Sequence, residues 1–113
     1  MSFYAVVQTE LTEKKFIMLA LEEMQKRGEI TSFRVNNKND SIDVDRSGDK
    51  ITIKLDAKTK QYQFAGDSRV VSSFSKRFTQ IYALESIKDS LPLDFEIETE
   101  KEIGGEINLI LKG

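Results

Sequence analysis

Two hydrophobic periods divide this chain. Residues 74–91, FSKRFTQIYALESIKDSL, place Phe74, Phe78, Ile81 and Leu84 three or four positions apart, with Tyr82 beside them. That spacing lines one side of an α-helix. Lys76, Arg77, Glu85 and Lys88 flank the stripe, and Ser72 or Ser73 can cap its start. Pro92 forbids continuation and pushes Leu91 towards extended geometry. An earlier stripe, Phe16, Ile17, Ala20, Leu21 and Met24, has the same period. It predicts a helix from an N-cap at Thr12 to about Arg27, with Glu13 near the positive end, Lys26 and Arg27 near the negative end, and Gly28 just past it. Met18 and Leu19 widen its apolar surface, as edge-of-core packing or as an adaptable partner contact.

Elsewhere the period is two. Ser2–Thr9 reads as a strand with Phe3, Ala5 and Val7 on one face and Tyr4 and Val6 on the other, which predicts an interior strand or one covered on both sides. Ile30–Val35 is a second strand, followed by the polar turn NNKND. Ile42 and Val44 alternate with Ser41, Asp43 and Asp45; Ile51, Ile53 and Leu55 with Thr52 and Lys54; Tyr62 and Phe64 with Gln61 and Gln63. Short polar turns join these three strands, so they read as an antiparallel meander, with residues 65–71 connecting to the second helix. Phe95 and Ile97 alternate with Asp94, Glu96 and Glu98, EKEIGG turns the chain, and Ile107, Leu109 and Leu111 complete a C-terminal hairpin. The expected fold is α+β: a two-layer sandwich with a mostly antiparallel sheet, two helices on one face, and the order β-α-β-β-β-β-α-β-β.

The 113 residues fit a single domain, 1–113, long enough to bury its own core. Neither a linker nor a repeat interrupts them. A formal charge of −2 gives no general electrostatic footprint for nucleic acid or anionic membrane. The first residues, MSFYAVVQTE, lack the basic and apolar regions of a signal peptide, and the longest apolar run, Phe16–Leu21, is too short to span a bilayer. With no cysteine there is no disulfide or thiolate chemistry, and a cytoplasmic location is the default expectation. The absence of histidine removes Ser–His and Cys–His nucleophile pairs, histidine-ligated metals and the usual neutral-pH base.

Four constellations remain. Asp43, Asp45, Ser47 and Gly48 fall at the first, third, fifth and sixth positions of a calcium loop, but Lys54 occupies the twelfth, where a bidentate glutamate belongs. A strand with one wet face running into a glycine turn fits these residues better, and no metal or other cofactor is expected. Asp94, Glu96, Glu98 and Glu100 form an acidic row on one strand face, which fits a solvated face that discourages aggregation better than a docking surface for a basic partner or a weak divalent-cation site. Lys54, Lys58 and Lys60 lie near Tyr62 and Phe64, a combination that can bind single-stranded nucleic acid if the aromatics are exposed, although their alternation favours the core. Tyr82 and Glu85 share a helix face, with Gln80 close by in sequence; they fit a packed tyrosine, a docking surface, or an enzymatic pair with Glu85 as base and Tyr82 orienting it, which would lack a nucleophile, a metal and a phosphate loop. Gly104-Gly105 is a hairpin turn rather than a phosphate cradle.

Several of these segments also resemble a known family. Met1, Ser2 and Phe3, then Gln8, Thr9 and Leu11, then Ala20 and Leu21, followed by Gly66 and Asp67 and by Gln80, Tyr82 and Ala83, stand in the order and spacing of a small domain of unknown function. That family includes the hypothetical chloroplast frame protein of plastids and cyanobacteria, with wider bacterial members. The chain departs from it in lacking an N-terminal histidine and in its middle hairpins. The resemblance implies no catalytic residues. Members are often encoded near AAA-type ATPases, which implies an accessory or adaptor role. The expectation is therefore a non-enzymatic accessory or protein-interaction module, such as an adaptor to an AAA-type ATPase, using Asp94, Glu96, Glu98, Glu100, Gln80, Tyr82 and Glu85. The alternative is a single-stranded nucleic-acid-binding domain using Lys54, Lys58 and Lys60. The sequence leaves partner identity and oligomeric state open.

Overall fold

The computed structural model of this chain describes residues 4–38, 40–90, 96–103 and 106–112. The elements are β1 (Tyr4–Gln8), α1 (Lys14–Lys26), β2 (Ser32–Asn36), β3 (Ser41–Arg46), β4 (Asp49–Leu55), β5 (Tyr62–Asp67), α2 (Ser68–Ser90), β6 (Glu96–Ile103) and β7 (Glu106–Lys112). The fold is α+β. Five antiparallel strands form one sheet in the order β1-β5-β4-β3-β2, and β6 and β7 form a separate antiparallel pair.

Register explains the core. Ala5, Gly66, Ile51, Val44 and Phe33 lie in one row across the sheet, and Val7, Phe64, Ile53, Ile42 and Val35 in the next. Both rows point to the same face because strand side chains alternate. Ile42, Val44, Ile51, Ile53, Tyr62 and Phe64 are buried there against Ile17, Ala20, Leu21 and Met24 of α1 and Val71, Phe74, Phe78 and Ile81 of α2. At the centre the Phe64 ring meets Phe74 at 5.8 Å and Phe78 at 5.1 Å between centroids, both edge-on. Each such large apolar side chain contributes about 1.5–3 kcal/mol on burial. Packing on this one face therefore outweighs any single turn or cap.

The opposite face carries Val6, Ala65, Thr52, Asp43 and Arg34 in one row and Gln8, Gln63, Lys54, Ser41 and Asn36 in another. Among the described residues no helix covers it. This corrects the expectation for the first strand. β1 is an edge strand beside β5, and Tyr4 and Val6 on its second face are 76% and 53% exposed. Apolar residues on both faces of a strand record composition, not coverage.

The helix starts also differ from the sequence pattern. α1 begins one residue later, after Glu13 rather than Thr12, and the N-cap carries no side-chain hydrogen bond. α2 begins at Ser68, where Asp67 Oδ1 accepts the Arg69 N–H at 2.8 Å, so neither Ser72 nor Ser73 caps it. No connector separates β5 from α2, because β5 runs on to Asp67 while pairing with β1. Gly66 makes this extension possible: a Cβ there would lie 2.8 Å from the Lys50 carbonyl oxygen. β6 likewise continues to Ile103, through residues expected to turn.

Candidate functional site

α2 organises the residues singled out on the helical side. Its inner stripe packs on the sheet, which leaves its flanks for polar contacts. Gln80 and Tyr82 stand two positions apart and so project about 200° apart around the helix. They serve different neighbours. The Tyr82 ring packs edge-on against Phe16 of α1 at 5.7 Å. Its hydroxyl oxygen accepts the Glu13 backbone N–H at 3.1 Å. That bond satisfies an N–H at the start of α1, where no side chain of the cap does so. Glu85, one turn along from Tyr82, lies 3.9 Å from the Lys88 ammonium. Lys15 and Asp89 close the far end of the helix pair with an ion pair of 2.8 Å.

On the other flank, Arg77 binds the Glu29 carboxylate with Nε at 2.6 Å and Nη2 at 2.9 Å. Its Nη1 donates to Gln80 Oε1 at 3.2 Å and pairs with Glu102 of β6. The Glu29 hydrogen bonds hold the Arg77 guanidinium above its ordinary pKa, burial opposes this, and Glu102 adds to it. A planar guanidinium suits this arrangement because its fixed fork of donors can serve several acceptors at once. One side chain thus joins the segment after α1, the helix α2 and the separate hairpin. Ile107 of β7 packs against the core beside it. Gln80, Tyr82 and Glu85 are therefore brought to one helix but not to one surface, and each has an intramolecular contact.

Asp94 lies outside the described residues. Glu96 pairs in register with Lys112 and Glu100 with Leu109, and a register shift falls between Ile97 and Thr99, around Glu98. The extra residue breaks the strict alternation expected from the sequence. Glu96 and Glu100 thus stand on either side of this shift in register.

Lys54 stands on the open sheet face, and Lys58 and Lys60 lie in the β4–β5 turn, all three exposed. Tyr62 and Phe64 face the core, at 5% and 0% exposure, so these two rings offer no stacking platform beside those lysines. Burial also pushes the Tyr62 phenol above its ordinary pKa. The turn is held internally: Asp56 Oδ1 accepts the Lys58 N–H at 2.9 Å, which lowers the Asp56 pKa, and Gln8 Nε2 reaches Asp56 Oδ2 at 3.3 Å.

The aspartates at calcium-loop spacing are also occupied. Asp45 Oδ1 accepts the Gly48 N–H at 2.8 Å, and Oδ2 binds the Lys50 ammonium at 2.9 Å. Asp43 lies on the open face opposite Arg34 and 3.5 Å from the Thr52 hydroxyl. Among the described residues, no group of three or more acidic side chains is placed to hold a metal ion. A shallow depression of about 400 Å³ crosses this face between Arg34, Asp43, Lys50 and Thr52. No described helix is long and apolar enough to cross a membrane. No family model, curated protein or solved structure matches the chain.

What sequence reasoning missed is Arg77. It reads as a flanking charge of the helical stripe. Its partners, Glu29 and Glu102, stand 48 and 25 positions away, and no local pattern links them.

Proposed function

We propose that this chain is a non-enzymatic interaction module whose docking element is the acidic C-terminal hairpin. The observation that supports this most is the hairpin's separation from the main sheet. β6 and β7 pair only with each other among the described strands, and Arg77 with Glu102, together with Ile107, joins them to the helical layer. Residues 94–106 contain six carboxylate residues and a single lysine, Lys101. An acidic arm outside the core sheet suits a basic protein surface, because complementary charge steers encounter and rejects like-charged partners. The resemblance to a family often encoded near AAA-type ATPases makes such an ATPase the first partner to test, and a cytoplasmic setting suits that role.

The test is affinity capture from the native host with mass spectrometry, comparing wild type with the double variant Glu96→Lys, Glu98→Lys. Loss of a specific partner from the variant supports the reading, and an AAA-type ATPase among the lost proteins supports the adaptor role. An unchanged partner set overturns docking through this hairpin. The nucleic-acid reading is disfavoured by the burial of Tyr62 and Phe64. Salt-dependent binding of single strands that is lost on replacing Lys54, Lys58 and Lys60 would revive it.

A further inference from the structure

The outer edge of β1 lacks the features that usually protect the edge of a sheet. β1 reads YAVVQ, with no charge and no proline. Sheet edges are normally blunted by exactly such residues, and the opposite edge strand, β2, carries Arg34. On its inner side β1 pairs with β5 from Tyr4 to Gln8, and among the described residues no strand pairs with its outer side.

The hydrogen-bond phase identifies the groups that face outward. The Thr9 N–H donates to the Tyr62 carbonyl of β5 at 3.2 Å. Alternation along an antiparallel strand then turns the backbone groups of Val7 and Ala5 inward to β5, and those of Tyr4, Val6 and Gln8 outward. These three are symmetric about Val6. A two-fold axis through Val6 would set Val6 opposite Val6 of the second copy and Tyr4 opposite its Gln8. Every outward N–H and carbonyl of the strand would then find a partner in a hydrogen-bonded pair. The same axis brings no like charges together. It also sets the exposed Tyr4 and Val6 side chains beside the second copy's Gln8 and Val6 on the open sheet face.

We infer that the chain self-associates through antiparallel β1–β1 pairing about Val6, which joins two five-stranded sheets into one. This inference does not depend on the hairpin's role in docking. A five-residue seam alone falls short of the roughly 1,200 Å² that stable interfaces bury, so the dimer is weak.

Sedimentation velocity of the full chain from micromolar to millimolar concentration tests it. Wild type passes from monomer to dimer across that range. Val6→Lys places two like charges opposite each other at the axis and raises the dissociation constant at least about tenfold. Val6→Thr, which keeps β-branching without charge, retains the dimer. Val6 is over half exposed, so both variants keep the fold, as circular dichroism will check. Amide exchange of the wild type gives an independent reading: Tyr4, Val6 and Gln8 gain protection as concentration rises, whereas Ala5 and Val7 do not change. A chain that stays monomeric throughout, a dimer unaffected by Val6→Lys, or protection without this alternation overturns the inference.

Discussion

Arg77 holds Glu29 across 48 positions of sequence with two parallel contacts, 2.6 Å from Nε and 2.9 Å from Nη2. Both side chains are mostly covered, at 18% and 27% exposure, so water screens the pair less than a surface bridge. Arg77→Lys keeps the charge but loses the fork, and Arg77→Ala leaves the Glu29 and Glu102 carboxylates without their common cation. We expect a loss of about 1 kcal/mol for the first and about 2–3 kcal/mol for the second. Urea unfolding checks both. Equal stability of the lysine variant and wild type would show that only charge matters at this position.

The Tyr82 hydroxyl is an acceptor for the first backbone N–H of the α1 cap. Tyr82→Phe keeps the ring contact with Phe16 and removes that acceptor. The expected cost is about 0.5–1 kcal/mol, at the low end for a hydrogen bond because the freed N–H can turn to water. Exchange of the Glu13 amide should accelerate in the variant while exchange within the middle of α1 stays unchanged.

Gly66 has no room for a side chain. A Cβ would come within 2.8 Å of the Lys50 carbonyl oxygen, a backbone atom of β4, and could be accommodated only by moving β4 from β5. Gly66→Ala should cost about 1–3 kcal/mol. Thermal unfolding measures it, with a downward shift as the expected sign.

Asp45 makes part of the stability depend on acid. The Lys50 hydrogen bond, then the Gly48 N–H, holds its carboxyl below the ordinary value near 4. Since the folded pKa is the lower one, the stabilisation is fully present above the unfolded value and disappears as pH falls through the folded value. Asp45→Asn should therefore be less stable than wild type at pH 7, by a margin that shrinks as pH falls into the acid range. Denaturant titrations across that range decide this, and a difference that does not shrink would point to a steric effect instead.

Much of the fold was legible because burial imposes a period. Ile51, Ile53 and Leu55, or Phe74, Phe78, Ile81 and Leu84, announce their element types without reference to any neighbour. The start of α2 was legible in principle, since Asp67 has the chemistry of an N-cap. The β-branched pair Val70 and Val71 hid it by weakening the helical pattern at that point. Of the candidate site residues, Tyr62 and Phe64 were placed correctly in the core by alternation alone. The spacing of two between Gln80 and Tyr82 already set them on different sides of α2, whereas the partner of the Tyr82 hydroxyl, the Glu13 N–H 69 positions away, was not legible.

The sequence by itself determined the element types, the meander and the apolar stripe of each helix, all of which follow from local period and turn chemistry. Only the tertiary structure decided that β1 closes on β5 as an edge strand, that the hairpin stands apart from the sheet, and that Arg77 joins Glu29 to Glu102. These are pairings between segments distant in the chain. They are selected by register and by the geometry of packing, and no periodicity within a single segment encodes them.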